Sequence, residues 1–347
     1  MDPSVYIPAY LERAYVASHP ELTDAARELV HNDISANPHK YAQTEHAQAL
    51  LSYAGVHRHL LDELHRIEDM GSDEEFEQTR NRLFDDMRDE LLKIVRVDAH
   101  VLDAQLLAII LADTPVDACL GDLMKLETST ADYLQQSVPG FDMEAPHYWA
   151  NNVLADGVTA ADLTVSEPAL IGWLHTLEAI SQLCMASARY RAAANYARRV
   201  LKAEGYPTRA AGTVLLALAR LEDQDGFFAL AHQLEEQIGA DALENSPWYL
   251  LARTILLFKT NKMRPATRAL REFANRCEGG AFFLLNPMYQ TPYLPCRPEP
   301  RDPWDLSHQA VWEADGIISD TPDFAPWANA CEDVSQLAQE FARRYGF

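Results

Sequence analysis

Residues 167–201 read EPALIGWLHTLEAISQLCMASARYRAAANYARRVL. Leu170, Trp173, Leu174, Leu177, Ile180 and Cys184 recur at three- and four-residue spacing and form one apolar stripe. A short polar break follows, then Tyr190, Ala193, Ala194, Ala197, Val200 and Leu201 form a facing stripe. Neither helix can bury its stripe alone, so the pair reads as a helical hairpin. The same order returns twice. Ala211, Val214, Leu215 and Leu218 precede Phe227, Leu230, Ala231, Leu234 and Ile238. Ser246-Pro247, a cap followed by proline at the first helical position, then opens Trp248, Leu251, Ile255 and Phe258, which meet Leu270, Phe273 and Cys277. Three small residues, Ala193, Ala229 and Ala266, mark the hairpins at intervals of 36 and 37. A small side chain at a helix crossing lets two backbones approach closely.

A repeat near 34 residues is the mark of tetratricopeptide-type arrays, where stacked pairs bury one continuous core. No segment shows sustained alternation of period two. The expected fold is therefore all-α: a right-handed helical-repeat, tetratricopeptide-like solenoid with a Pro-rich C-terminal cap. Residues 1–137 read as N-terminal hairpins, 138–166 as a connecting loop, 167–285 as repeats and 286–347 as a Pro-rich segment with terminal helices. Together they read as one continuous array.

In the N-terminal part, Met1–Tyr10 carries Asp2 and proline- and tyrosine-type breakers, with no basic region and no apolar core, and does not read as a signal peptide. Ser18 and Glu21 match a capping box, opening a helix through Leu29. Ala47, Leu50, Leu51, Ala54, Leu61 and Leu64 share one face of a long helix. Ser72 and Glu75 cap the next, which carries Leu83, Met87, Leu91 and Ile94. Thr114-Pro115 starts another helix that ends near Gln136. Six prolines between Asn286 and Trp304 predict extended chain that packs Tyr289, Tyr293 and Trp304 on the last repeat. Helix resumes over 306–318 and again over 328–345.

The net charge of −23 sets a surface that repels phosphate backbones and anionic membranes. A protein or peptide partner of basic character fits it; nucleic acid and membrane do not. The most apolar stretch, 99–112, holds His100 and Asp103 and is too short to span a bilayer. The five cysteines are widely spaced, with no pair two residues apart, which fits a reduced, cytoplasmic setting. There is no Gly-x-Ser-x-Gly elbow, P-loop or dinucleotide fingerprint. No catalytic residue and no cofactor is assigned.

Further along, Asn286-Pro287, Pro292-Tyr293-Leu294-Pro295, Ala310-Val311 and Trp327 follow the helical pairs in a familiar order. Upstream stand Ile94 to Ala104, His147-Tyr148-Trp149, and Gly212 at the start of the second pair. On these residues the chain resembles bacterial tetratricopeptide-like proteins whose tail is similar to the suppressor-of-tumorigenicity-seven family. The resemblance covers roughly 94–327 and implies helical repeats, protein binding and no catalytic residues. The sequence departs from the repeat pattern at Glu222 and Asn261, where glycine is preferred at the inter-helix break, and at Ala211, where an aromatic is usual.

In such an array the first helix of each pair lines the concave groove. The candidate peptide-binding residues are His175, Glu178 and Gln182 from the first pair, Arg209 and Arg220 from the second, and Trp248 and Arg253 from the third. Guanidinium and aromatic groups suit an extended peptide or its carboxylate end. An open groove predicts Trp248 or the arginines facing solvent; the competing reading makes Trp248 a core anchor and pairs the arginines with surface acids. Two alternatives stand beside this scaffold reading. One is a metal-binding protein or metal-dependent enzyme using His57, His59, Glu63 and His65. The other is a self-associating structural protein whose groove is filled by its own tail.

Overall fold

The computed structural model describes residues 1–67, 72–138, 141–146, 167–203, 206, 208–290 and 300–347. All regular structure among them is helical: there is no strand, only an isolated bridge between Asp142 and Ala145. No helix among them is long and apolar enough to cross a membrane. The described residues fall into two compact units. The first holds Met1–Ala179 and Arg199–Thr208; the second holds Ile180–Arg198, Arg209–Tyr293 and Glu299–Phe347.

The first unit begins with a helix where breakers were expected: α1 spans Pro3–Ser18. Asp2 accepts from the Ser4 amide at 2.7 Å, and Pro3 stands at the first turn, where its missing donor costs nothing. Pro8 does cost a helical hydrogen bond, about 3 kcal/mol in a helix interior. Burial outweighs it. Tyr6, Ile7 and Leu11 are at most 1% exposed, and each aliphatic side chain so buried contributes roughly 1.5–3 kcal/mol. Ser18 therefore ends a helix instead of opening one. The next, α2 (Asp24–Ala36), is capped by Thr23, which accepts from the Ala26 amide.

The short α3 (Pro38–Tyr41) leads to α4 (Glu45–Ile67) and α5 (Asp73–Val97), which pack as the expected hairpin. Ser72 caps α5 by accepting from the Glu75 amide at 3.4 Å. Then come α6 (Leu102–Ile110) and α7 (Val116–Ser137). Pro115, not Thr114, occupies the N-cap position of α7, one residue later than its start signal suggested. Leu50, Tyr53, Leu60, Leu91, Leu107 and Ile171 join the α1 side chains in one core. Beside it, Trp173 donates to Glu127 at 3.1 Å, and Arg199 reaches the same carboxylate at 2.5 Å.

The second unit is organised by hairpins. Helix α8 (Pro168–Ala186), whose C-terminal part lies here, is followed by α9 (Tyr190–Val200). Next come α10 (Ala210–Arg220) with α11 (Gln224–Ile238), a short α12 (Ala240–Glu244), and α13 (Pro247–Lys259) with α14 (Met263–Arg276). Ser246 caps α13, as its sequence signal predicted. The three inter-helix turns are alike bond for bond. Ala188, Glu222 and Asn261 each hold φ at 58°. The next residue's amide reaches back five positions: Arg189 to Cys184 at 2.7 Å, Asp223 to Leu218 at 3.0 Å, Lys262 to Leu257 at 2.9 Å. This is the Schellman closure of a helix, and its left-handed residue is usually glycine. The consensus glycine is thus replaced by residues that carry a Cβ in the strained region, at roughly 1 kcal/mol each.

The turns repeat at intervals of 34 and 39 residues. The five-residue α12 accounts for the longer interval. The alanine marker spacing is corrected accordingly. Ala193 and Ala266, each the fourth residue of its helix, are fully buried, but Ala229 is exposed. The equivalent position in α11 is Phe227, also fully buried. The middle hairpin fills this inner site with a large side chain instead of a small one.

Helix α10 packs on α13, and each packs on the second helix of its own pair. Then follow α15 (Gly280–Leu285) and a single 3₁₀ turn over Pro287–Tyr289, a departure from the extended chain expected there. Tyr293 and the remaining prolines up to Pro298, like His147, Tyr148 and Trp149, lie outside the described residues. Helix α16 (Asp305–Ser319) matches expectation, whereas the expected helix over 328–345 is two: α17 (Phe324–Asn329) and α18 (Glu332–Tyr345), parted at Cys331. Tyr289 lies 5.2 Å from Phe282 and Trp304 lies 5.4 Å from Phe283, ring centre to ring centre.

Candidate functional site

The polar residues of the first helices were the candidate binding surface, and their surroundings decide what each can do. In the first unit His175 is 3% exposed. Its Nδ1 stands 2.9 Å from Asp103 Oδ1, while the Tyr6 hydroxyl donates to Asp103 Oδ2 at 2.6 Å. Burial works to raise the Asp103 carboxyl, but the charge and hydrogen bond of His175, with the Tyr6 hydroxyl, hold it below its usual value. Asp103 and His175 are each 3% exposed, so the pair is closed off from an incoming peptide. Glu178 is likewise occupied, accepting from the Thr208 hydroxyl and, at 3.4 Å, from the Tyr206 hydroxyl.

In the second unit Arg209, Trp248 and Arg220 converge on α16 and its C-cap residue Asp320. Trp248 is 5% exposed, the placement of a core anchor and not of a solvent-facing residue. Its ring lies over Gly212, where an added Cβ would overlap it. Its indole N–H donates to Glu313 Oε2 at 2.8 Å. Arg209 donates to Gln309 Oε1 at 2.7 Å, and the Gln309 amide donates onward to Glu313 Oε1 at 2.6 Å. A continuous chain results: guanidinium, amide, carboxylate, indole. Arg220 lies over the Tyr190 ring at 5.2 Å and donates to Asp320 at 3.3 Å; the Tyr190 hydroxyl donates to the same oxygen at 3.2 Å. Burial, then the Asp320 charge, push the Tyr190 hydroxyl up. Arg253 stays within its own hairpin, donating to Glu272 at 2.9 Å. Gln182 is half-buried and lines a cleft beside α16.

The partners of Arg209, Trp248 and Arg220 were not foreseen, although a signal existed. Gln309, Glu313 and Asp320 stand at intervals of four and seven residues, one face of a helix. Ala310, Val311, Ala314 and Ile317 form its apolar face. A helix carrying both an acidic-amide stripe and an apolar stripe has two surfaces to satisfy.

The histidine cluster of α4 does not converge. His57 is buried beside the Tyr53 ring, while His59 and His65 are exposed, because residues two apart on a helix face different ways. His59 Nδ1 is 4.0 Å from Glu63 Oε1, and Glu63 also pairs with Arg66. Among the described residues no three His, Cys, Asp or Glu side chains are grouped to hold a metal ion.

Comparison with protein-family models, with curated proteins and with solved structures gives no match.

Proposed function

We propose that the second unit is a short tetratricopeptide-type array whose first-helix face is closed by the chain's own helix α16, and that the protein is an interaction scaffold. The observation that carries this reading is that one C-terminal helix supplies partners to Arg209, Trp248 and Arg220 alike. An amphipathic helix laid in a groove is a recurring recognition mode, and here the ligand comes in cis. Three turns of equal geometry support a repeat origin. The partner then meets a surface built jointly by the repeats and α16. The charge of −23 favours a basic protein or peptide in a cytoplasmic setting.

A groove filled in cis also supports the second reading, a self-associating structural protein. An immobilised array of peptides of varied charge, probed with the full chain, separates the two when paired with sedimentation of the same chain. Saturable binding to a peptide class by a monomer supports the scaffold. Concentration-dependent self-association with no peptide bound replaces it by the structural reading.

A further inference from the structure

Within the second unit, a cleft of about 150 Å³ lies between the C-terminal end of α8 and one face of α16. Ligands of drug or cofactor size occupy roughly 300–1,000 Å³. The cleft admits one side chain or a small headgroup. Met185 and Trp312 contribute apolar walls, which suit an alkyl stem and, through the indole ring, a cation.

Its polar lining includes two carboxylates beside Gln182 and Thr213. Asp315 is half-buried, and no cation pairs with it among the described residues. Burial pushes its carboxyl up. Glu313 brings a second carboxylate, held in place by Trp248 and Gln309. Thr213 also lines the cleft. It is 5% exposed, and its hydroxyl makes no hydrogen bond among the described residues. The residue is buried but its hydroxyl is open to the cleft, and without a protein partner it leaves one polar position there unfilled. Met185 and Ala186 belong to the last turn of α8, the negative end of its dipole. The two carboxylates and this helix end share one sign.

We propose that this cleft receives the cationic head of a lysine or arginine side chain carried on a basic segment of a partner protein. The assignment rests on the scaffold reading and names its partner's chemistry. Lysine or arginine brings several N–H donors for the two carboxylates and the Thr213 hydroxyl. A metal ion is disfavoured because the cleft offers carboxylates from Glu313 and Asp315 alone, and no ligand trio is found among the described residues. The net charge of −23 draws such a segment toward the whole surface; the cleft selects where it seats.

The test is fluorescence anisotropy with the full chain and a short labelled Lys-Ser-Gly repeat peptide, its Nε-acetyl-lysine counterpart, and spermidine as competitor. The lysine peptide binds and the acetylated one does not. Asp315→Asn weakens binding roughly tenfold, the size of one charge-assisted hydrogen bond. Thr213→Val weakens it too, and Asp85→Asn, on the exposed face of α5, leaves it unchanged. Circular dichroism checks that each variant is folded. Equal loss in Asp315→Asn and Asp85→Asn means diffuse attraction and overturns the proposal. Spermidine binding as tightly as the peptide overturns the assignment to a protein partner. Array peptides that bind regardless of lysine acetylation and of Asp315→Asn sink the cleft alone and leave the scaffold standing. No peptide bound at all sinks both.

Discussion

Replacing His175 by leucine tests whether this candidate groove residue is a support of the core instead. The substitution puts an apolar side chain in place of the imidazole and leaves the Asp103 carboxylate, itself 3% exposed, with the Tyr6 hydroxyl and the charge of the N-terminal ammonium. Breaking a buried pair from one side costs about 3–5 kcal/mol, because the carboxylate stays buried without its main partner. An exposed pair would cost about 0–1 kcal/mol. The two outcomes differ by more than the error of urea unfolding followed by circular dichroism. Asp103→Leu combined with His175→Leu removes both partners, so the double variant is more stable than the sum of the single losses predicts. The pH dependence follows from the depressed Asp103 carboxyl. Its contribution is present above the unfolded value near 3.9 and is lost as pH falls through the lower folded value. A His175→Leu loss under about 1 kcal/mol, or strict additivity in the double variant, refutes the buried-pair account.

Three further outcomes follow from local geometry. Ala188→Gly relieves the left-handed turn at φ 58° on an exposed residue and raises stability by roughly 1 kcal/mol; thermal unfolding checks it, and a fall in Tm contradicts the strain argument. Gly212→Ala forces a Cβ into the Trp248 ring and costs about 1–3 kcal/mol, read from the urea midpoint; an unchanged midpoint would mean that α13 does not press on α10 there. Burial, opposed by the Arg276 charge, pushes the Cys277 thiol up to about 12, so a thiol reagent at neutral pH labels half-buried Cys331 well before Cys277. Equal labelling rates by mass spectrometry would contradict that burial.

The helices of the hairpins were legible because each carries a stripe at helical spacing and a recognisable stop or start. Ser246 caps α13 and Ser72 caps α5, each by a bond that the residue type and its offset announce. Helix α1 was not legible. Local proline chemistry argued against it, and the burial of Tyr6, Ile7 and Leu11, supplied by distant helices, overrode that argument. The repeat interval was misplaced for a related reason. Backbone geometry at Ala188, Glu222 and Asn261 defines it, and no side-chain pattern reports φ.

Composition, helical period and caps, all local properties of neighbouring residues, were enough to set an all-α chain of paired helices with an acidic surface. Which polar residues stay open to solvent was decided only by tertiary contacts. Arg209 meets Gln309 across 100 positions and Trp248 meets Glu313 across 65. A guanidinium reads the same in sequence whether it faces water or a carboxamide from a remote helix. Only the packing of α16 against α10 and α13 distinguishes the two cases.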